Sequence, residues 1–181
     1  MDKGLRKSID ELANIVSQII PIPKDFNLSK SLKSNGVDIR YFTDKKYDAF
    51  LQWNYKKNCP VISVNATQPL VRRNFSMAHE LGHLVIDYKW NPFSGKINVN
   101  HKRLLSVKYR GGDYNSVAEK NDETVVNEFA AAFLIPNRLI KEEIENSDPD
   151  YLKLIDQLSN KFKVSNDMAR IRLNNFLDGV E

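Results

Sequence analysis

Two of the chain's three histidines stand four residues apart, in His79-Glu80-Leu81-Gly82-His83. Positions i and i+4 share one face of an α-helix, so two imidazoles at this spacing can close on one metal ion. The glutamate that follows the first histidine then lies beside that ion, where it can take a proton from water. Average residue usage gives H-E-x-x-H by chance in under ~1% of chains of this length. The flanks decide against two solvated surface histidines. Phe75, Met77, Ala78, Leu81, Leu84, Val85 and Ile86 surround the motif, which predicts a largely buried helix over 70–87. An unpaired buried polar group costs about 1–3 kcal/mol. A bound metal satisfies both histidines at once.

A catalytic zinc site takes three protein ligands and leaves a position open. The metzincin extension needs a glycine and a third histidine where this chain has Ile86 and Lys89, so that arrangement is excluded. The third ligand is then expected to be a carboxylate on a later helix, and the segment from Asp122 to Ala130 offers one. Glu123 shares a helical face with Val126, Asn127, Ala130 and Leu134, while Glu128 lies about 140° away around the axis. A first-turn position would also place Glu123 where the helix dipole favours an anion. Glu123 is the expected ligand and Glu128 the next choice. Asn127, one turn after Glu123, could orient a ligand from behind. His101, the remaining histidine, falls in a polar basic stretch and is expected in an exposed loop.

At 181 residues, 41% hydrophobic and 28% charged, the chain has the make-up of one soluble globular domain. It has no apolar run of ~18 residues, so no membrane span is expected. The N-terminal segment reads as an amphipathic helix rather than a signal peptide. A lone cysteine, Cys59, leaves no internal disulfide, and a reducing cytoplasm is the expected compartment. Net charge is +4, and the basic excess is local. No acid falls between Asp87 and Asp113, while Lys89, Lys96, Lys102, Arg103, Lys108 and Arg110 do. That stretch is either a landing surface for an acidic partner or nucleic acid, or a solvated loop.

Periodicity and turn residues predict a first helix over 5–20 and a short one over 26–33 that stops at Asn35-Gly36. Strands follow at 37–42, 47–55 and Cys59–Asn65, with hairpin-like turns at Asp44-Lys45-Lys46 and Lys56-Lys57-Asn58. These give a small antiparallel sheet ahead of the metal helix. Cys59–Asn65 is the expected edge, because Pro60 lacks a donor. The polar stretch 91–121 is long for a loop and should hold local structure. A second buried helix is expected over 122–135, ending at Pro136. Two or three helices over 138–180 break at Asp148-Pro149. The fold class is α+β, with a core over 1–136 and a C-terminal helical segment over 137–181 packed on it. Within that segment, the residues from Leu158 to Arg170 read as helix, turn, Ser165 N-cap and helix, like a helix-turn-helix.

The run Arg72-Arg73-Asn74-Phe75-Ser76-Met77-Ala78-His79-Glu80-Leu81-Gly82-His83 resembles the R-x-F-x-x-A-H-E-L-G-H helix of the ImmA/IrrE metallopeptidases. The run from Glu123 to Pro136 resembles that family's E-x-x-A-N-x-F-A-A-x-L-L-M-P helix, with Val126 where the family usually has alanine. The resemblance implies a zincin-like helical core and a protease. It also implies a protein substrate, a helix-turn-helix repressor whose cleavage derepresses mobile-element or stress genes. With zinc (or manganese or iron) on His79, His83 and Glu123, Glu80 is the expected catalytic base. The basic stretch is expected to help capture the partner. The competing reading is a DNA-binding regulator or toxin–antitoxin component that carries a metal site. With one cysteine, far from the motif, a closed four-ligand structural site is the weaker expectation.

Overall fold

The computed structural model describes residues 1–94, 96–97, 105–109, 117–146 and 150–180. Helix α1 (Lys3–Ile19) begins at Asp2, whose side chain accepts from the Leu5 amide, and buries the stripe Ile9, Ala13 and Val16. Helix α2 (Leu28–Ser34) stops where the sequence predicts. Gly36 takes φ +84°, and the Val37 amide reaches back to the Leu32 carbonyl. A side chain at that φ would meet the left-handed steric penalty, so glycine is needed there.

Strands β1 (Asp38–Phe42), β2 (Tyr47–Asn54) and β3 (Cys59–Asn65) fall within a residue of their expected bounds. Their arrangement corrects two expectations. With β6 (Leu105–Tyr109) they form one four-stranded sheet in the order β1-β3-β2-β6. Strand β3 is therefore interior, not an edge, and β1 pairs with it in parallel, so the sheet is mixed rather than antiparallel. The reason lies in Asn65, which is fully buried. Its side-chain amide donates to the carbonyls of Asp44 (2.6 Å) and Tyr47 (2.8 Å), holding the β1–β2 connection across the end of β3. That connection straddles β3 instead of turning back beside β1. Pro60 is accommodated without an edge, because pairing with β1 begins only at Val61. The β2–β3 connection is a hairpin as expected, with Asn58 in the left-handed region at φ 51°.

Helix α3 (Leu70–Ile86) carries the histidine motif and is buried from Ser76 to Val85. The polar stretch that follows holds a two-stranded ribbon, β4 (Trp90–Asn91) with β5 (Lys96–Ile97), and the fourth sheet strand β6. Helix α4 (Val117–Leu134) starts five residues before the expected 122. Helices α5 (Asn137–Asn146), α6 (Tyr151–Phe162) and α7 (Asn166–Val180) complete the chain, and the expected break at Asp148-Pro149 lies outside the described residues.

One core joins all of this. Ile9 and Val16 of α1, Ile62 of β3, Leu81 and Leu84 of α3, Phe129 and Phe133 of α4, and Leu158 and Leu173 of the C-terminal helices belong to a single apolar cluster. Arg172 of α7 is fully buried and ties the helical layers together. It donates to Asp10 of α1 (2.9 Å), to the Ile135 carbonyl and to Asn137 (2.6 Å). A buried guanidinium needs this full set of acceptors, because each donor left unpaired costs about 1–3 kcal/mol.

Candidate metal centre

Helix α3 puts His79 and His83 one turn apart on the side facing α4, and α4 brings Glu123 against both. Oε2 of Glu123 lies 3.3 Å from His79 Nε2, Oε1 lies 3.2 Å from His83 Nε2, and the two Nε2 atoms are 3.1 Å apart. These ligand atoms all lie within 4.8 Å of one another. The other ring nitrogen of each histidine is also engaged. His79 Nδ1 lies 2.9 Å from Asn127 Oδ1, and His83 Nδ1 lies 2.6 Å from Asp87 Oδ2. A ring that offers its Nε2 lone pair must carry its proton on Nδ1, and both rings have an acceptor there. Two imidazole nitrogens and a carboxylate, aimed at one point and each backed in the required tautomer, fit a divalent cation. Among the described residues the cluster has three members, which leaves coordination open.

What lets α4 come this close is Gly82. A β-carbon there would stand 2.8 Å from Val126 Cγ1 and 3.0 Å from Phe129 Cδ1, inside van der Waals contact. The close approach therefore rests on the missing side chain of α3 and not only on the small Ala130-Ala131-Ala132 run of α4.

The electrostatics follow from crowding. Burial alone lowers the pKa of His83. The hydrogen bonds to Asp87 and Glu123 and the nearby charge of Glu80 outweigh it and raise the pKa to about 10. Burial alone would raise the Glu123 pKa, but hydrogen bonds from both histidines hold it well below the usual carboxylate range. The helix dipole is not the cause. Because α4 begins at Val117, Glu123 is not in the first turn, and the dipole acts mainly within that turn. These shifts have a consequence for metal uptake. In protein stripped of metal, the raised His83 pKa contributes stability below pH 6.5, and that contribution is lost as pH rises through about 10. A metal needs the neutral ring, so binding at pH 7 is expected to expel about one proton. Apparent affinity should then climb about tenfold per pH unit until His83 loses its proton unaided. Titration calorimetry in buffers of different ionisation enthalpy measures this, and uptake without proton release would contradict it.

The remaining sequence-predicted residues separate cleanly. Glu80 is fully buried on α3. Glu128 is turned away from the histidines and accepts from Asn175 (2.9 Å) and Arg172 (3.4 Å), which joins α4 to α7. His101, Lys102, Arg103 and Arg110 lie outside the described residues, as do the side chains of Lys96 and Lys108. Sequence reasoning missed Asp87. The signal was present, since Asp87 follows His83 by one helical turn.

Residues 32–174 match the model of a peptidase family described as Peptidase_M78, IrrE N-terminal-like domain. No curated protein matches the sequence. Among solved structures, a Mycobacterium tuberculosis transcriptional regulator shares the fold, with a TM-score of 0.59 at 18% identity. The similarity covers 95% of this chain and 51% of that one, so this chain spans about half the regulator's length. With four-fifths of its length under one family model and a two-histidine, one-carboxylate cluster at its centre, the chain belongs to the Peptidase_M78 family of IrrE N-terminal-like domains.

Proposed function

We propose that the chain is a metal-dependent endopeptidase with a zincin-like core, in which His79, His83 and Glu123 hold one cation and Glu80 is the general base. The observation that carries this reading is the convergence of two Nε2 atoms and a carboxylate, with Glu80 buried on the helix turn between the two rings. Zinc suits the donor set, and manganese or iron(II) can use the same donors. A cation held there supplies Lewis acidity toward a peptide carbonyl and acidifies water. Glu80 takes up a proton and returns it to the leaving amine. Asn127 and Asp87 fix the tautomer and orientation of the two rings. An extended substrate would pair along an open sheet edge. Strand β6 is the candidate, since it is an outer strand among the described residues and packs against α3.

The substrate class comes from the likeness to the ImmA/IrrE peptidases: a helix-turn-helix repressor, cleaved in the cytoplasm to release genes it silences. The shared fold with a transcriptional regulator also supports a role in gene control. The same likeness keeps a second reading alive, a DNA-binding regulator or toxin–antitoxin component with a metal site. Its support is the α6–α7 pair, joined by a tight turn with Ser165 capping α7. The exposed start of α7 argues against it, because Arg170 there is neutralised by Asp167 at 2.6 Å.

Metal analysis of the purified chain is expected to give about one divalent cation per molecule, the stoichiometry of a single three-ligand catalytic site. His79→Ala is expected to lose that cation and all peptide-bond cleavage, read on a panel of helix-turn-helix repressors and unstructured peptides. Full metal occupancy in the variant would overturn the ligand assignment. Failure of the metal-loaded wild type to cleave any member of that panel would overturn the peptidase.

A further inference from the structure

The stripe of α3 that carries His79 continues toward the helix start through Ser76, Phe75 and Arg72, at spacings of three, four and seven residues. Beside that stripe runs a groove of about 500 Å³, walled by α3, by α4 and by the first turns of α7. A cavity of this size lies within the range of about 300–1,000 Å³ that encloses small ligands, so it can take a large side chain with part of its backbone. Two wall residues, Phe75 and Asn127, also touch the metal cluster. The Phe75 ring centroid is 6.4 Å from that of His79, and Asn127 bonds the His79 ring at 2.9 Å. Asn127 meets the ring at Nδ1, so the groove begins one imidazole's width from the point where the three donors meet, a distance that a side chain of a peptide on the cluster can span.

The lining says what kind of side chain. Three acids face the groove, and each is matched by an arginine: Asp48 by Arg72 at 2.7 Å, Glu128 by Arg172 at 3.4 Å, and Asp167 by Arg170 at 2.6 Å. Ser165 is occupied in capping α7. The other uncharged polar groups are Ser76, Thr124 and Asn127, the last bonded to His79, and the rest is apolar surface from Val71, Phe75, Ala131, Met168 and Ile171. Ile171 is 53% exposed, although it is a large aliphatic on a packed helix. Apolar walls with their charges already paired admit a neutral side chain. They exclude a charged one, which would give up its hydration for no partner.

We propose that this groove is the specificity pocket of the peptidase, and that Met168 and Ile171 of α7 select a large apolar substrate side chain beside the scissile bond. The C-terminal helices thus form part of the substrate site. The inference rests on the peptidase reading, and two experiments separate the two. The first uses metal-loaded protein and internally quenched octapeptides in which Leu, Phe, Ala, Lys and Glu are scanned through every position. Wild type should prefer Leu and Phe at one position. Met168→Ala with Ile171→Ala should lower kcat/KM for those peptides by about tenfold relative to the Ala peptide, the scale of losing apolar contacts in a pocket. Metal content should not change. Ile15→Ala, at an exposed site on α1, should leave the preference intact. An unaltered preference in the double variant overturns the proposal.

The second experiment does not depend on turnover. The metal-loaded Glu80→Gln variant is irradiated with the same peptides carrying benzoylphenylalanine at the preferred position or, if none is cleaved, at each position in turn. Crosslinks mapped by mass spectrometry are expected on Met168 or Ile171. Crosslinks confined to other surfaces overturn the pocket. Crosslinks in the groove without cleavage by wild type uphold the pocket and overturn the peptidase.

Discussion

Glu80→Gln is expected to abolish peptide hydrolysis while the protein keeps its fold and its metal. Glutamine preserves the shape of a side chain that is fully buried, so the packing of α3 against α4 is undisturbed. It removes the group proposed to accept and return the proton, and a positioned general base or acid contributes about 10²–10⁴-fold to rate. Metal content should stay at the wild-type level, because the cluster of donors consists of His79, His83 and Glu123. Thermal stability should hold or rise, since a buried carboxylate is exchanged for a neutral amide. Its loss also removes one of the charges that raise the His83 pKa, so protons should compete less strongly with the metal in the variant. The measurement is kcat/KM alongside metal content and melting temperature. A variant that turns over at the wild-type rate would mean another base. One that loses its metal would mean that Glu80 is a ligand.

What could be read from the chain alone, and what could not, divides along the range of the interactions. The histidine pair was legible because its geometry is local: four residues of helix place both rings, whatever the helix packs on. Glu123 with Asn127 was legible for the same reason: they stand one turn apart on α4, Glu123 against both histidines and Asn127 against His79. The turn at Gly36 was legible because a left-handed φ leaves few choices of residue. The sheet order was not. It depends on the Asn65 amide reaching back about twenty residues to the backbone of the β1–β2 connection, and nothing in the turn residues announces that contact. Pro60 misled for a related reason: a proline at the start of a strand looks the same in sequence as a proline on an edge. The buried role of Arg172 was equally hidden. Its acceptors come from α1, α4 and α5, and only the assembled helices bring them together.

Gly82→Ala should damage the metal centre without touching any ligand. The added β-carbon would meet Val126 Cγ1 at 2.8 Å, Phe129 Cδ1 at 3.0 Å and the Val126 carbonyl oxygen at 3.4 Å. Neither side chain can swing aside freely, because Val126 and Phe129 are both fully buried. The relief available is a movement of α4 away from α3, and Glu123 rides on α4 one turn before Val126. Overpacking of this kind costs about 1–3 kcal/mol of stability. The larger effect should fall on metal binding, since ligands drawn back by a few tenths of an ångström no longer meet at one point. Disturbing the support of a ligand typically lowers affinity about 10–100-fold. Val126→Ala provides the internal control. It removes the methyl group that the new β-carbon would strike, so the Gly82→Ala, Val126→Ala double variant should recover metal affinity relative to Gly82→Ala alone. Both variants can be compared by chelator competition at fixed pH. If Gly82→Ala binds metal as tightly as wild type, the close approach of α3 and α4 does not set the geometry of the centre. If the double variant shows no recovery, the contact with Val126 is not what holds the two helices apart.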